Sequence, residues 1–364
     1  MNKLEELNAA GQSVWLDFIR RDMLQNGSLK TLVAEGVRGL TSNPSIFQNA
    51  IATSDEYDAQ IKSVVQSGGT AETAFEALAV QDIQGAADVL RGVYDESAGR
   101  DGFVSLEVSP TIAHDTDATI NDARRLWGLV DRPNLMIKVP ATAAGIPAIE
   151  ELIASGLNIN VTLMFSMEDY ENVAQAYIRG LGRAENPAGI ASVASFFVSR
   201  VDGKVDAALD AVGTEPALAL RGKIAIANSK LAYARYQELF EGHCFADLAA
   251  SGGRPQRVLW ASTSTKNPAY PDTLYVDELV GPNTVNTIPP KTLEFFKDHG
   301  TVNPSAITTG VDEARDLVAT LADVGVDLAA ITADLQEAGV KSFADAFATL
   351  LTAIADKSTL LAEA

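Results

Sequence analysis

One cysteine, Cys244, and three histidines, His114, His243 and His299, are all that the 364 residues hold of the side chains on which disulfides and most transition-metal sites depend. No internal disulfide can form, and histidines scattered outside every strand candidate disfavour a metal-dependent centre. Nucleotide fingerprints are missing as well. Gly203-Lys204 and Gly222-Lys223 are followed by Val and Ile rather than Ser or Thr, and no Gly-x-Gly-x-x-Gly follows a strand. Basic residues are scarce, 28 against 48 acidic ones, and the resulting net charge of -20 repels nucleic acid and anionic membrane surfaces. Long uncharged runs are also lacking. The stretch from Leu152 to Met167 is shorter than the ~20 apolar residues a spanning helix takes, and it contains Asn and Ser. The start MNKLEELNAAGQ has no basic segment followed by an apolar one, so the expectation is a chain without a leader, working in the cytoplasm.

What remains is ample for a globular core: 47% of residues are hydrophobic and 21% charged. Short apolar or alternating runs bounded by Gly, Pro, Ser and Asn occur at 13–19, 36–43, 103–110, 135–142, 157–165, 191–199, 257–264 and 283–288. Segments with helical spacing lie between them at 70–98, 115–129, 144–155, 167–182, 200–210 and 218–240. A helical tail covers 311–323, 327–337 and 342–356, while 243–256 reads as a loop. Eight strands alternating with helices and no Pro/Ser-rich linker predict an α/β fold. The expected arrangement is a single (β/α)8 TIM barrel over residues 1–364, with extra N- and C-terminal helices and 311–364 packed on the barrel. The stripe Phe343, Phe347, Leu350, Leu351 and Ile354 gives the last helix an apolar face to lay against it.

Alternation within these strands puts polar residues where a core expects apolar ones. On 135–142, Leu135, Ile137 and Val139 share one face, and Lys138 shares the other with Met136 and Pro140. The same parity places Asp17 with Trp15 and Ile19, Glu107 with Ser105 and Ser109, and Asn160 and Thr162 with Met164. Thr41 and Asn43 end the second strand, Ser195 lies in the sixth, and Ser262 and Ser264 in the seventh. Catalytic groups of such barrels come from the C-terminal ends of several strands. One lysine, two carboxylates and a ring of hydroxyls and amides are therefore expected to meet on one axis. Two readings fit the charged trio: a buried structural ion-pair network, or a catalytic centre. Asn43 before Pro44 also has the form of an N-cap with proline at the first helical position, compatible with a second role.

A buried lysine beside two carboxylates suits imine chemistry. A lysine amine attacks a ketone only in its neutral form, and at the ordinary pKa of ~10.4 well under ~0.1% is neutral at pH 7, a fraction that desolvation raises. The protonated imine then serves as an electron sink for breaking the neighbouring carbon-carbon bond. One acid or base must move protons during carbinolamine formation and dehydration, and a second must take the hydroxyl proton as the bond breaks. Glu107 and Asp17 supply that pair, and Thr162 is placed to hold a relay water. A sugar-phosphate binding protein without catalysis would have no reason to bury an amine.

The motifs LTSNPSIF (40–47), VSLEVSP (104–110), MIKVPAT (136–142), NINVTLMFS (158–166), SFFVSRVD (195–202) and WASTSTKNP (260–268) together resemble transaldolase, one motif per strand and in family order, over roughly residues 10–290. The resemblance implies Lys138 as the Schiff-base lysine and Asp17 as the acid or base at the hydroxyl of the cleaved bond. It implies Glu107 with Thr162 as a water-mediated relay, and Asn43, Asn160 and Ser195 as contacts to substrate or intermediate. Arg200 matches a phosphate-binding arginine of the family. Lys266 stands where many members carry a second arginine, which keeps the charge but not the two-pronged fork. The implied reaction moves a dihydroxyacetone unit from sedoheptulose 7-phosphate to glyceraldehyde 3-phosphate, giving erythrose 4-phosphate and fructose 6-phosphate. It needs phosphorylated sugars as partners and neither a cofactor nor a metal; the chain is expected as a monomer or homodimer. An aldolase that releases the three-carbon unit to water is the nearest rival.

Overall fold

The structure, a computed structural model, describes residues 1–363 and the side chains of residues 1–361. Eight parallel strands close into a barrel: β1 Gln12–Leu16, β2 Gly39–Leu40, β3 Val104–Glu107, β4 Leu135–Pro140, β5 Ile159–Met164, β6 Ser192–Phe197, β7 Arg257–Ala261 and β8 Thr284–Ile288. Each pairs with its sequence neighbours, and β8 returns to β1 with Val14 opposite Asn286. The strands coincide with the eight runs read from the sequence. Most are trimmed at their C-terminal ends, where the chain leaves the ladder to form the mouth of the barrel. β4, β5 and β6 are buried at every position, as strands covered on both faces must be.

Local chemistry starts the surrounding helices where their caps stand. Thr70 caps Ala71–Glu96, Asp115 caps Thr116–Val130, and Ser166 with Asp169 forms a capping box at Met167–Arg183. Three of the segments read from the sequence differ from expectation. The run 218–240 divides into Glu215–Leu218 and Ile224–Tyr236, the second ending in a wider π-helical turn, with Gly222 between them in the left-handed region. Part of 243–256 is helical, at Ala246–Ala250. Helices Pro44–Ala52 and Asp58–Gln66 lie outside the segments read from the sequence. The two helices expected at 327–337 and 342–356 are one helix, Leu328–Glu363, which runs straight through Gly339.

Gly339 explains why that helix is continuous. A Cβ at this position would stand 2.9 Å from Leu163 Cδ2, so the missing side chain lets the helix sit against the end of β5. Mid-helix glycine costs about 1 kcal/mol in propensity, which the docking contacts outweigh. Gln336 Nε2 donates to the carbonyls of Ala141 (3.0 Å) and Leu163 (3.2 Å). Leu163 itself has φ 57° at a register shift in the β5 ladder. Leu328–Leu361 contains an 18-residue stretch of mean hydropathy 1.3, by length and composition apolar enough to cross a bilayer. In the fold its Val340, Phe343, Leu350 and Ile354 are buried in the core. Replacing Phe343 by alanine should cost about 3 kcal/mol of unfolding free energy in urea. A loss below about 1 kcal/mol would mean the helix is not docked through that ring.

Candidate active site

The mouth of the barrel holds a cavity of about 190 Å³ lined by Asp17, Thr41, Asn43, Lys138, Thr162, Ser195, Arg200, Ser262, Ser264 and Lys266, among others. A larger cavity of about 560 Å³ adjoins it beyond Glu107, walled by Phe47, Phe75, Leu126 and Phe347. Size does not select between them. Charged and polar groups from seven strands or their C-terminal ends converge only on the smaller one.

Lys138 follows from the parity of β4. With Leu135, Ile137 and Val139 packed outward, its side chain points along the barrel interior and the residue is only 5% exposed. Its Nζ donates to the carbonyl of Ser42 at 2.9 Å and lies 3.3 Å from Glu107 Oε2. Glu107 comes from β3, in direct register with Lys138. Burial pushes the Glu107 carboxyl above the ordinary carboxylate range, against the opposing pull of the lysine charge. Above the lysine lies the ring of Phe343, 6.0 Å from Nζ to its centroid.

Asp17 follows the last residue of β1, three strands around the barrel. Its Oδ1 accepts from Thr41 Oγ1 at 2.8 Å, and Thr41 is 2.6 Å from the hydroxyl of Thr287 on β8. Desolvation raises its pKa, while the charges of Lys138, Arg200 and Lys266 pull the other way. The two acids thus serve different places. Glu107 adjoins the amine, and Asp17 is held by a threonine pair on the far wall.

The remaining residues sort by position. Thr162 lines the cavity, and its buried hydroxyl has no protein partner; Glu107 Oε2 likewise accepts no hydrogen bond. Asn43 lines the cavity and also caps Pro44–Ala52, its Oδ1 accepting from Ile46 N at 3.0 Å. Ser195 lines the cavity and donates to Asn160 Oδ1 at 2.6 Å, while Asn160 Nδ2 donates to Ser105 Oγ at 3.0 Å. Asn160 is therefore fully buried in the wall, not among the lining residues. Arg200 lies in the first turn of Ser199–Val212, its guanidinium 5.3 Å from the Phe197 ring centroid. Asp202, two residues along, does not pair with it. Asp202 accepts from Ala225 N (2.7 Å) and Tyr275 OH (2.8 Å) instead. Lys266 is exposed at the rim and donates to Ser264 Oγ at 2.5 Å. The sequence reading had no signal for the Ser42 carbonyl, and it did not assign Thr287, Phe197 or Phe343 to the site. Among the described residues no cluster of three or more His, Cys, Asp or Glu is placed to hold a metal ion.

Chemically, this is a buried amine with a carboxylate beside it, a second carboxylate across a polar cavity, and two cations toward one end. Residues 14–354 match the transaldolase/fructose-6-phosphate aldolase family. The chain belongs to that family. It is similar to the transaldolase of Frankia alni, 51% identical over 361 residues covering 98% of this chain and 97% of the relative. The transaldolase of Thiobacillus denitrificans is 50% identical over 359 residues, 97% of this chain and all (100%) of that one. The transaldolase of Mycolicibacterium smegmatis is 48% identical over 355 residues, 96% of each. The protein is accordingly an enzyme of the transaldolase class on a (β/α)8 barrel.

Proposed function

We propose that the enzyme moves a dihydroxyacetone unit from sedoheptulose 7-phosphate to glyceraldehyde 3-phosphate through an imine on Lys138. The observation that carries this reading is the position of the amine: 5% exposed, inside the barrel, 3.3 Å from Glu107 and open to the cavity that also holds Asp17, Arg200 and Lys266. Structural ion pairing alone would explain the Lys138–Glu107 contact, but not the second carboxylate and two cations converging on the same cavity.

In this mechanism Lys138 Nζ, with its proton passed to Glu107, adds to the ketose C2 carbonyl. The carbinolamine loses its hydroxyl as water, with the proton coming from Glu107 through a water carried on Thr162. Asp17 takes the proton of the C4 hydroxyl; C3–C4 breaks, and its electron pair moves into the iminium to give an enamine. Erythrose 4-phosphate leaves. The enamine carbon then attacks the aldehyde of glyceraldehyde 3-phosphate, the new alkoxide takes its proton from Asp17, and hydrolysis of the imine frees fructose 6-phosphate and the lysine. Arg200 and Lys266 hold the phosphate at the end of the cavity, helped by the N-terminal end of Ser199–Val212. Ser195 and Asn43 position the sugar hydroxyls, and Asn160 keeps Ser195 oriented through the 2.6 Å hydrogen bond.

Borohydride with fructose 6-phosphate should leave a stable adduct on the Lys138 peptide. No mass increase there in folded protein would overturn the reading, and release of the three-carbon unit without an acceptor would favour the aldolase variant. A pH dependence follows from Asp17. Donor cleavage requires its ionised form, and its pKa is raised by burial. Cleavage is therefore present above that raised pKa and falls as pH drops through it, with an acid limb in kcat/KM above the usual carboxylate value of about 4. A limb at or below about 4 would exclude Asp17 as the base.

A further inference from the structure

The opposite end of the barrel carries a separate cavity of about 300 Å³, formed by the turn Ser97–Arg100 and the starts of β4, β6 and β7. Arg100, Arg254 and Arg257 all line it, a concentration of positive charge in a chain of net charge -20. No carboxylate is among the residues lining it, and two stand close by. Asp101 is paired with Arg257 at 2.9 Å, and Glu241 accepts from Asn283 Nδ2 at 3.3 Å. The balance is positive.

The guanidiniums are under-used. Each has five N–H donors. Arg100 commits one to Asn283 Oδ1 (3.0 Å), and Arg254 commits two, to the carbonyls of Gly99 and Ala98. Arg257 commits three, to Ser13 Oγ (2.7 Å), the Arg100 carbonyl (2.6 Å) and Asp101 (2.9 Å). Fewer than half of the donors on this cavity are engaged.

Tyr236 supplies an independent observation. It lines the cavity, is wholly buried, and its hydroxyl has no hydrogen-bond partner. Leaving such a group unmatched costs about 1–3 kcal/mol, a cost that a ligand oxygen accepting its proton would remove. Burial keeps the phenol protonated, so it is a donor; the Glu241 carboxylate, the strongest of the charges acting on it, pushes the same way, and the Arg257 and Arg100 cations oppose it.

We propose that this floor cavity binds a small phosphate-type oxyanion, with Arg100, Arg254 and Tyr236 donating to its oxygens and Arg257 adding charge. A tetrahedral dianion offers acceptors in several directions at once, which suits donors arriving from three walls, and guanidinium–phosphate bonds are among the stronger hydrogen bonds. The volume admits a free phosphate or a phosphate ester on a short carbon chain. The site is distinct from the barrel mouth, since Met136 and Val193 on its inner side each lie two residues before Lys138 and Ser195 on the same strands.

Calorimetric titration of the full-length protein with inorganic phosphate and with glycerol 3-phosphate tests this. The Arg200→Ala variant, weakened at the mouth, should retain one binding event. Adding Arg100→Ala and Arg254→Ala to it should weaken that event at least tenfold. Tyr236→Phe, which keeps the ring and the packing, should weaken it about tenfold without lowering Tm. Binding of both ligands identifies the phosphoryl group as the recognised part, and binding of inorganic phosphate alone identifies the free ion. If Arg200→Ala binds neither ligand, or if the floor variants bind as tightly as their parents, the proposal is wrong.

Discussion

Lys138→Arg should abolish transfer, by at least about 10⁴-fold in kcat, while leaving a folded barrel. Arginine keeps the positive charge that Glu107 faces at 3.3 Å and can still donate to the Ser42 carbonyl. Removing the charge altogether would leave a buried carboxylate without its partner, at a cost of about 3–5 kcal/mol. The arginine variant therefore separates chemistry from folding better than alanine does. A guanidinium is always protonated and forms no imine, so the covalent path is closed. The extra volume under Phe343 should cost about 1–3 kcal/mol of stability. The check is fructose 6-phosphate formation from sedoheptulose 7-phosphate, alongside circular dichroism and thermal melting of the same sample. Activity within tenfold of the parent, in a preparation free of wild-type protein, would end the case for Lys138 as the nucleophile.

How much of this was visible beforehand depends on the physics behind each feature. The barrel strands are buried on both sides, so their periodicity and bounding glycines mark them plainly, and even β2, reduced to Gly39–Leu40, stands within its run. Parity along β4 then fixes Lys138 inward, and parity along β3 does the same for Glu107. The cap at Asn43 was legible because its chemistry is local, a side-chain oxygen on the Ile46 amide. Features set by distant packing were not. Nothing local tells a helix to continue through Gly339; the nearness of Leu163 does. The helices at Arg21–Gln25, Asp58–Gln66 and Ala71–Glu96 are tied by a buried node, in which Arg21 Nε donates to Asp82 Oδ1 at 2.8 Å and Tyr57 OH donates to Asp82 Oδ2 at 2.9 Å. Three residues separated by up to 61 positions leave no periodic trace. The same reasoning covers Asn160. Alternation puts it inside, but only the placement of Ser105 and Ser195 shows that both ends of its amide are already taken.

The two carboxylates should fail in different ways. Glu107→Gln removes the proton carrier in register with the amine, so imine formation should slow by about 10²-fold or more, and borohydride trapped at short times should find little adduct. Asp17→Asn leaves Lys138, Glu107 and Thr162 untouched and keeps an oxygen for Thr41 to donate to. Its imine with fructose 6-phosphate should form at nearly the normal rate and then persist, because the hydroxyl proton has no acceptor and C3–C4 cleavage slows by about 10²–10⁴-fold. Rapid-quench trapping reads the first step, and release of glyceraldehyde 3-phosphate in a single turnover reads the second. The pair of measurements matters more than either alone, since a general loss of packing would depress both rates in both variants. If the two variants slow the same step by the same factor, the division of labour drawn from the 3.3 Å Glu107 contact and the Thr41-held Asp17 does not hold.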